Sequence, residues 1–282
     1  MGDHQPFIGS VAIANGLLKK HQLRAHFRAL FPDVYIAEDV ALTLGTRAHA
    51  GWLWSRRQGV IAGLTASAMH GAQWVDDLLP IELVWSNARA PRGLRTHDWT
   101  LYTEERCLVA SLPVTTVERT AFDIGRRGRL DEAVARLDAL GNATGFKIDD
   151  VLAVAERHPG ARGLRQLRAG LDLYDAGAES PKETWLRLLL IRAGYPRPQT
   201  QIPVWSPDGR RKYRIDMGWA DIKVGVEYEG DHHRVDKPRY DYDITRYEDL
   251  NFLRWKMIRV VGRDREPAIL ARVERAWASR LR

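Results

Sequence analysis

The stretch Ile222 to Glu229, IKVGVEYE, alternates so regularly that it reads as a β-strand and restricts what the surrounding chain can build. In that conformation Ile222, Val224, Val226 and Tyr228 share one face, and Lys223, Gly225, Glu227 and Glu229 share the other. Two carboxylates therefore point the same way. Their repulsion is costly unless a cation, a basic side chain or a proton offsets it. Asp216 lies toward the end of the preceding strand-like segment, RRKYRIDMGW, where an antiparallel neighbour can set it beside Glu227. A bound Mg²⁺ or Mn²⁺ would remove the repulsion, because hard divalent cations prefer carboxylate and water oxygens. Such an ion can also polarise a phosphate oxygen and activate water. Asp216, Glu227 and Glu229 are thus the candidate metal-binding or catalytic acids.

The flanking sequence predicts the layers around them. Ser180, Pro181 and Glu183 fit an N-cap, a first-turn proline and the third position of a capping box, so a helix starts at 181 and stops near Gly194. QTQIPVW and RRKYRIDMGW, joined by SPDGR, read as a hairpin, and IKVGVEY follows as a third strand. Residues 238–254 place Tyr242, Tyr247, Leu250 and Leu253 on one side of a helix, KMIRVV makes a fourth strand, and a helix from about 266 to 282 closes the region. That order is an α/β sandwich. His233, just past the carboxylate strand, could orient water, move a proton or touch phosphate, or be one of a surface histidine pair. Asp243 and Arg246, one turn apart, could serve the same site or form an exposed ion pair.

The chain of 282 residues is long enough for two modest domains with their own cores. Its charge is +7, and the excess is concentrated: residues 179–282 carry 22 Lys and Arg against 16 Asp and Glu, +6 of the total. A basic surface around an acidic centre suits cleavage of a phosphodiester, and also non-catalytic binding of nucleic acid, so DNA is the expected partner. No apolar run reaches the roughly 18 to 20 residues of a membrane span, and no signal pattern opens the sequence, so a cytoplasmic location without membrane partners is expected. Cys107 is the only cysteine, which excludes an intramolecular disulfide and a cysteine-based zinc site.

Three regions are expected: 1–47, 48–175 and 176–282, with YDAGAESP at 174–181 as the linker. Residues 11–31 carry Leu17, Leu18, Leu23, Phe27, Leu30 and Phe31 at spacings that suit two short helices broken at Gly16. The following PDVYIAEDVAL reads as a turn and an extended pair, so the first region is expected to be a small winged-helix unit. Lys19, Lys20, Arg24 and Arg28 would fringe its second helix and contact DNA, although solvation alone also accounts for a charged helix face. The middle region reads as α/β: helix over 48–70, strands at 81–85 and 98–102, one or two helices over 116–140 interrupted near Gly125 and Gly128, and a basic helix at its end.

The runs ESPKETWLR, RIDMGWADIKVGVEYEGDHH, YDYDITRYEDL and WKMIRVV, over residues 179–262, resemble actinobacterial proteins with a C-terminal domain akin to the very-short-patch repair endonucleases of the PD-(D/E)XK superfamily. The resemblance implies a restriction-endonuclease-like α/β sandwich with Mg²⁺ or Mn²⁺ at Asp216 and Glu227, a further acid at Glu183 and a recurrent histidine at His233. The lysine of that signature falls on Glu229, with Lys223 or Lys256 as replacements. GLLKKHQLRAHFRALFPDVYIAED, ASAMHGA and LPVTTVERTAFDI, over about residues 10–125, resemble the DNA-binding antitoxins of abortive-infection systems, which implies a cognate toxin as a possible partner. Within ASAMHGA, His70 before Gly71 reads as a structural histidine. Two functions are therefore expected: a metal-dependent DNA endonuclease of repair or defence, or an antitoxin-like regulator whose nuclease fold is inactive.

Overall fold

The computed structural model describes residues 5–87, 89–230 and 237–280, with the backbone alone for 237–241. The chain is mixed α/β and forms two compact units, residues 1–133 with 143–172, and residues 134–142 with 173–282.

The first unit opens with β1 (Phe7–Ile8), α1 (Gly9–Ala14), α2 (Lys20–His26), β2 (Phe27–Phe31) and β3 (Val34–Ala37). The chain turns after α1 through Gly16 at φ +70°, a conformation glycine adopts without a Cβ penalty. α2 is shorter than the expected helix, because Phe27–Phe31 is a strand. Its antiparallel pairing with β3, Phe27 opposite Ala37 and Phe31 opposite Val34, outweighs a residue spacing that also fits a helix. Arg28 accordingly lies on β2 rather than on the basic helix, and its guanidinium donates inward to the Val40 carbonyl.

α3 (Leu44–Trp54) is capped by Thr43, whose hydroxyl accepts the Thr46 N–H at 3.1 Å. The helix expected over 48–70 is interrupted. Arg56 and Arg57 adopt positive φ, Ser55 Oγ accepts the Gly59 N–H at 2.9 Å, and β4 (Val60–Ile61) precedes α4 (Gly63–Met69). β5 (Ile81–Val84) follows as expected, but its parallel neighbour β6 is Leu94–His97, not 98–102. A further hairpin, β7 (Arg106–Val109) and β8 (Leu112–Thr115), turns at Ala110 and Ser111, both at positive φ. The sheet order is β6-β5-β4-β8-β7, and its core gathers Leu53, Ile61, Ile81, Leu83 and Val114. α5 (Val117–Gly125), α6 (Leu130–Thr144), α7 (Ile148–Arg157) and α8 (Leu164–Leu173) complete the helices, with the expected interruption between Gly125 and Leu130.

The second unit follows the expected order: α9 (Pro181–Arg192), β9 (Gln199–Trp205), β10 (Lys212–Trp219), β11 (Val224–Glu229), α10 (Lys237–Phe252), β12 (Lys256–Val261) and α11 (Glu266–Ala278). The sheet order is β12-β11-β10-β9, antiparallel except for the β11–β12 pair. One core cluster packs Leu186 and Leu190 of α9 and Ile269 and Val273 of α11 against Val224, Val226, Ile258 and Val260. A second packs Leu250 of α10 with Tyr213, Ile215, Ile202 and Trp255. The segment expected to be a linker, 174–181, follows directly on the division between the two units at 172 and 173, and Asp175 within it is anchored: its Oδ1 accepts the Thr200 hydroxyl at 2.8 Å, and its N–H donates to Asp138 at 2.8 Å.

Candidate active site

β10 and β11 build the site between them. Met217 lies opposite Val226, so the next residue outward on each strand, Asp216 and Glu227, becomes a side-by-side pair. Asp216 Oδ2 accepts the Tyr228 N–H at 3.0 Å. Burial, followed by the negative charges of Glu227 and Glu183, pushes the Asp216 carboxyl up to about 7. Asp216, Glu227, Glu229, Asp243 and Arg246 all line one open cavity of about 250 Å³, together with Tyr242, Tyr247 and Arg259.

Glu227, 7% exposed, is held by α10. Arg246 grips it with two N–H groups, Nη1 to Oε2 at 3.1 Å and Nη2 to Oε1, and the Tyr247 hydroxyl donates to Oε2 at 2.9 Å. Arg246 also donates to the Arg214 carbonyl at 2.7 Å. It is therefore not the exposed partner of Asp243 that their spacing allows. Burial works against the Arg246 charge, yet the bonded and nearby Glu227 outweighs it and raises the guanidinium pKa. Burial, then the Glu227 charge, likewise pushes the Tyr247 hydroxyl above its ordinary range.

Glu229 sits at the half-exposed rim, paired with Arg259 at 3.0 Å, and the Arg259 guanidinium lies 4.4 Å from the Tyr247 ring centre. Glu183 closes the capping box of α9: Ser180 Oγ accepts its N–H at 3.2 Å, and its carboxylate accepts the Ser180 hydroxyl and the Glu179 N–H at 2.9 Å each. Burial raises the Glu183 pKa, and the residue acts on Asp216 through its charge.

Neither lysine takes the place left by Glu229. Lys223 precedes β11 at φ +52° and donates to the Leu253 carbonyl at 3.1 Å, while Lys256 donates to the Ser279 hydroxyl. His233 lies outside the described residues. Tyr247 and Arg259 are the site residues that sequence reasoning missed. Tyr247 looked like part of an apolar stripe. Arg259 was findable from strand alternation once β12 was paired in parallel with β11, since the register sets it opposite Glu227.

A divalent ion here would draw on carboxylate oxygens. Among the described residues no three His, Cys, Asp or Glu side chains converge to cage one. Mg²⁺ and Mn²⁺ do not need a cage, because Mg²⁺ commonly uses one or two carboxylates with water and substrate phosphate. Asp216 and Glu227 fit that pattern. Their mutual repulsion favours a cation, and among the described residues Glu227 Oε1 accepts one N–H and keeps a second lone pair.

In the first unit Lys19, Lys20 and Arg24 are exposed around α2, with Leu23 buried beneath them. His70 Nε2 lies 2.7 Å from the Thr115 carbonyl oxygen. No helix among the described residues is long and apolar enough to cross a membrane.

No protein-family model matches the chain, and no solved structure matches it. Two curated Mycobacterium tuberculosis proteins are similar: uncharacterized protein MT2308 of strain CDC 1551 / Oshkosh and uncharacterized protein Rv2248 of strain ATCC 25618 / H37Rv. Each is 34% identical over 155 residues, 54% of this chain and 56% of the relative, so the chain spans about half the length of the curated relatives it matches.

Proposed function

We propose that this chain is a DNA-binding protein whose second unit is a Mg²⁺- or Mn²⁺-dependent endonuclease centre of the very-short-patch-repair-like kind, serving repair or defence. The carrying observation is the Asp216–Glu227 pair, set side by side on adjacent strands and open to a cavity rimmed by Arg246 and Arg259. Asp216 and Glu227 would hold the ion, with Glu183 adding negative charge behind them. The ion supplies a Lewis acid for a phosphate oxygen and a more acidic water. Arg246 and Tyr247 orient Glu227. Arg259, shared between Glu229 and the Tyr247 ring, would receive a phosphate. The exposed Lys19, Lys20 and Arg24, at the start and along a helix followed by a β-hairpin, support a winged-helix-like contact to DNA.

The test is cleavage of single-stranded, duplex, mismatched and branched DNA with Mg²⁺ or Mn²⁺. Wild type should cut at least one substrate, and Asp216→Ala and Glu227→Ala should each lose at least about 100-fold. Activity that survives both substitutions removes this site.

A second reading has its own support: the two-pronged grip of Arg246 on Glu227 already neutralises one metal-binding acid with a guanidinium. On that reading the fold is catalytically silent and the chain is an antitoxin-like regulator with a possible toxin partner. Intact DNA in the cleavage assay, with tight, sequence-specific binding to its own upstream region at physiological salt, decides for it.

A further inference from the structure

The first unit holds a second polar cavity, of about 490 Å³, within the size range of small-ligand sites. It lies among residues 98–102, α5, α7 and the loop after α7. Its floor is a buried charge network. Arg119, 1% exposed, donates through Nε to Asp123 at 2.8 Å, through Nη1 to Glu105 at 2.5 Å and through Nη1 to the Thr100 carbonyl at 2.8 Å. His158 Nε2 lies 2.9 Å from Glu105 Oε1, and Arg126 reaches Asp123 at 2.8 Å. Burial opposes ionisation of Glu105, but hydrogen bonds from His158 and Arg119 hold its carboxyl below the ordinary carboxylate range.

Counted by its buried carboxylates, this network has more cations than anions. Glu105 serves Arg119, Arg157 and His158, while Asp123 serves Arg119 and Arg126, so three guanidinium groups share two buried carboxylates. The exposed Glu104 touches Arg157 only at 3.9 Å. Arg162 adds an exposed cation at the wall with no carboxylate partner among the described residues, and Asp98 is the one acidic side chain lining the cavity among them.

The aromatic residues divide by role. The Arg126 guanidinium already lies 4.8 Å from the Trp99 ring centre and 5.0 Å from that of Phe122, so these two rings hold cations in place. Tyr102 is different: it lines the cavity, remains 41% exposed and stands 5.1 Å from the His158 ring. The wall is tightly made as well. A Cβ on Gly163, at φ +88°, would fall 2.1 Å from the Arg126 carbonyl oxygen, so the loop carrying Arg162 is drawn against α5 at a point only glycine fits.

We propose that this cavity binds a nucleotide, either free or as an unpaired unit of a single strand, with its phosphate on Arg157 and Arg162 and its base on the Tyr102 ring. A guanidinium pair matches phosphate in charge and hydrogen-bond geometry, and an exposed phenol ring beside it provides a stacking surface of the sort that single-strand binders use. The site shares no residue with the acidic centre of the second unit and needs no metal.

Isothermal titration of the full chain in EDTA tests it with nucleoside monophosphates, the matching nucleosides, inorganic phosphate and a short single-stranded oligonucleotide. A monophosphate or the oligonucleotide should bind at least about tenfold more tightly than nucleoside or phosphate alone, since both halves of the ligand contribute. Which of the two binds identifies the source of the nucleotide. Arg162→Gln, an exposed change that leaves the buried network intact, should weaken that binding by about tenfold, and Tyr102→Leu by a similar factor. No heat with any ligand, phosphate binding as tightly as the nucleotide, or affinity unchanged in both variants each overturns the proposal.

Discussion

Asp216 is where a single side chain decides most. Its carboxyl has an unfolded-state pKa near 3.9 and is pushed up to about 7 in the fold, by burial first and then by Glu227 and Glu183. The folded chain therefore binds the proton more tightly than the unfolded chain, and stability falls as pH rises through that window, with the loss complete above about pH 7. In EDTA, Asp216→Asn should be more stable than wild type at pH 8 by an amount on the order of a few kcal/mol, and the gap should close toward pH 4. Denaturant titration at both pH values measures this, and a wild-type stability that does not change with pH contradicts it. Added Mg²⁺ should raise the wild-type melting temperature at pH 8 and leave Asp216→Asn unmoved. The convergence of Asp216 with Glu227 was legible in strand alternation. The partner of Arg246 was not: helical spacing offers Asp243, and only the packing of α10 on the sheet presents Glu227.

Among the elements, α9 shows how one helix start can both cap a helix and set the electrostatics of a neighbouring carboxyl. Ser180 and Glu183 cap it reciprocally, and Glu183 also presses charge on Asp216. Ser180→Ala should cost about 1 kcal/mol of stability by denaturant titration. Glu183→Gln should retain the cap, since glutamine can fill the same position, while shifting the pH-dependent loss of stability to lower pH through a lower Asp216 pKa. If the two variants behave alike in pH dependence, Glu183 is a cap and nothing more. α9, β9, β10, β11 and β12 were readable because capping, a turn signal and a two-residue period agree locally. β2 was not. Phe27, Leu30 and Phe31 fit a helical face, and Phe27, Ala29 and Phe31 fit a strand equally; pairing with β3 selects the strand. The same holds for β4, too short to announce itself before it meets β5 and β8.

At the scale of the whole molecule, the charge of +7 should appear as salt-dependent binding to nucleic acid. Lys20 and Arg24 lie one turn apart on the exposed side of α2. The double variant Lys20→Gln, Arg24→Gln should lower affinity for duplex DNA of any sequence and reduce the slope of log affinity against log salt by about 2, near 0.9 for each phosphate that is no longer neutralised. Fluorescence anisotropy across a salt series reads both, and an unchanged slope removes α2 from the interface.

Sequence by itself determined the order of elements from α9 to α11 and the strand face that brings Glu227 toward Asp216, because both follow from periods and caps spanning only a few residues. Only the tertiary structure decided which guanidinium meets which carboxylate: Arg246 on Glu227, Arg259 on Glu229, Arg119 between Glu105 and Asp123. It also decided that residues 98–102, α5 and α7 enclose a cavity. These pairings join positions 14 to 30 residues apart, except for the single turn from Arg119 to Asp123. An arginine side chain is long and rotatable and has several carboxylates within reach. Which one it takes depends on how the packed elements exclude water from it, and no local pattern encodes that.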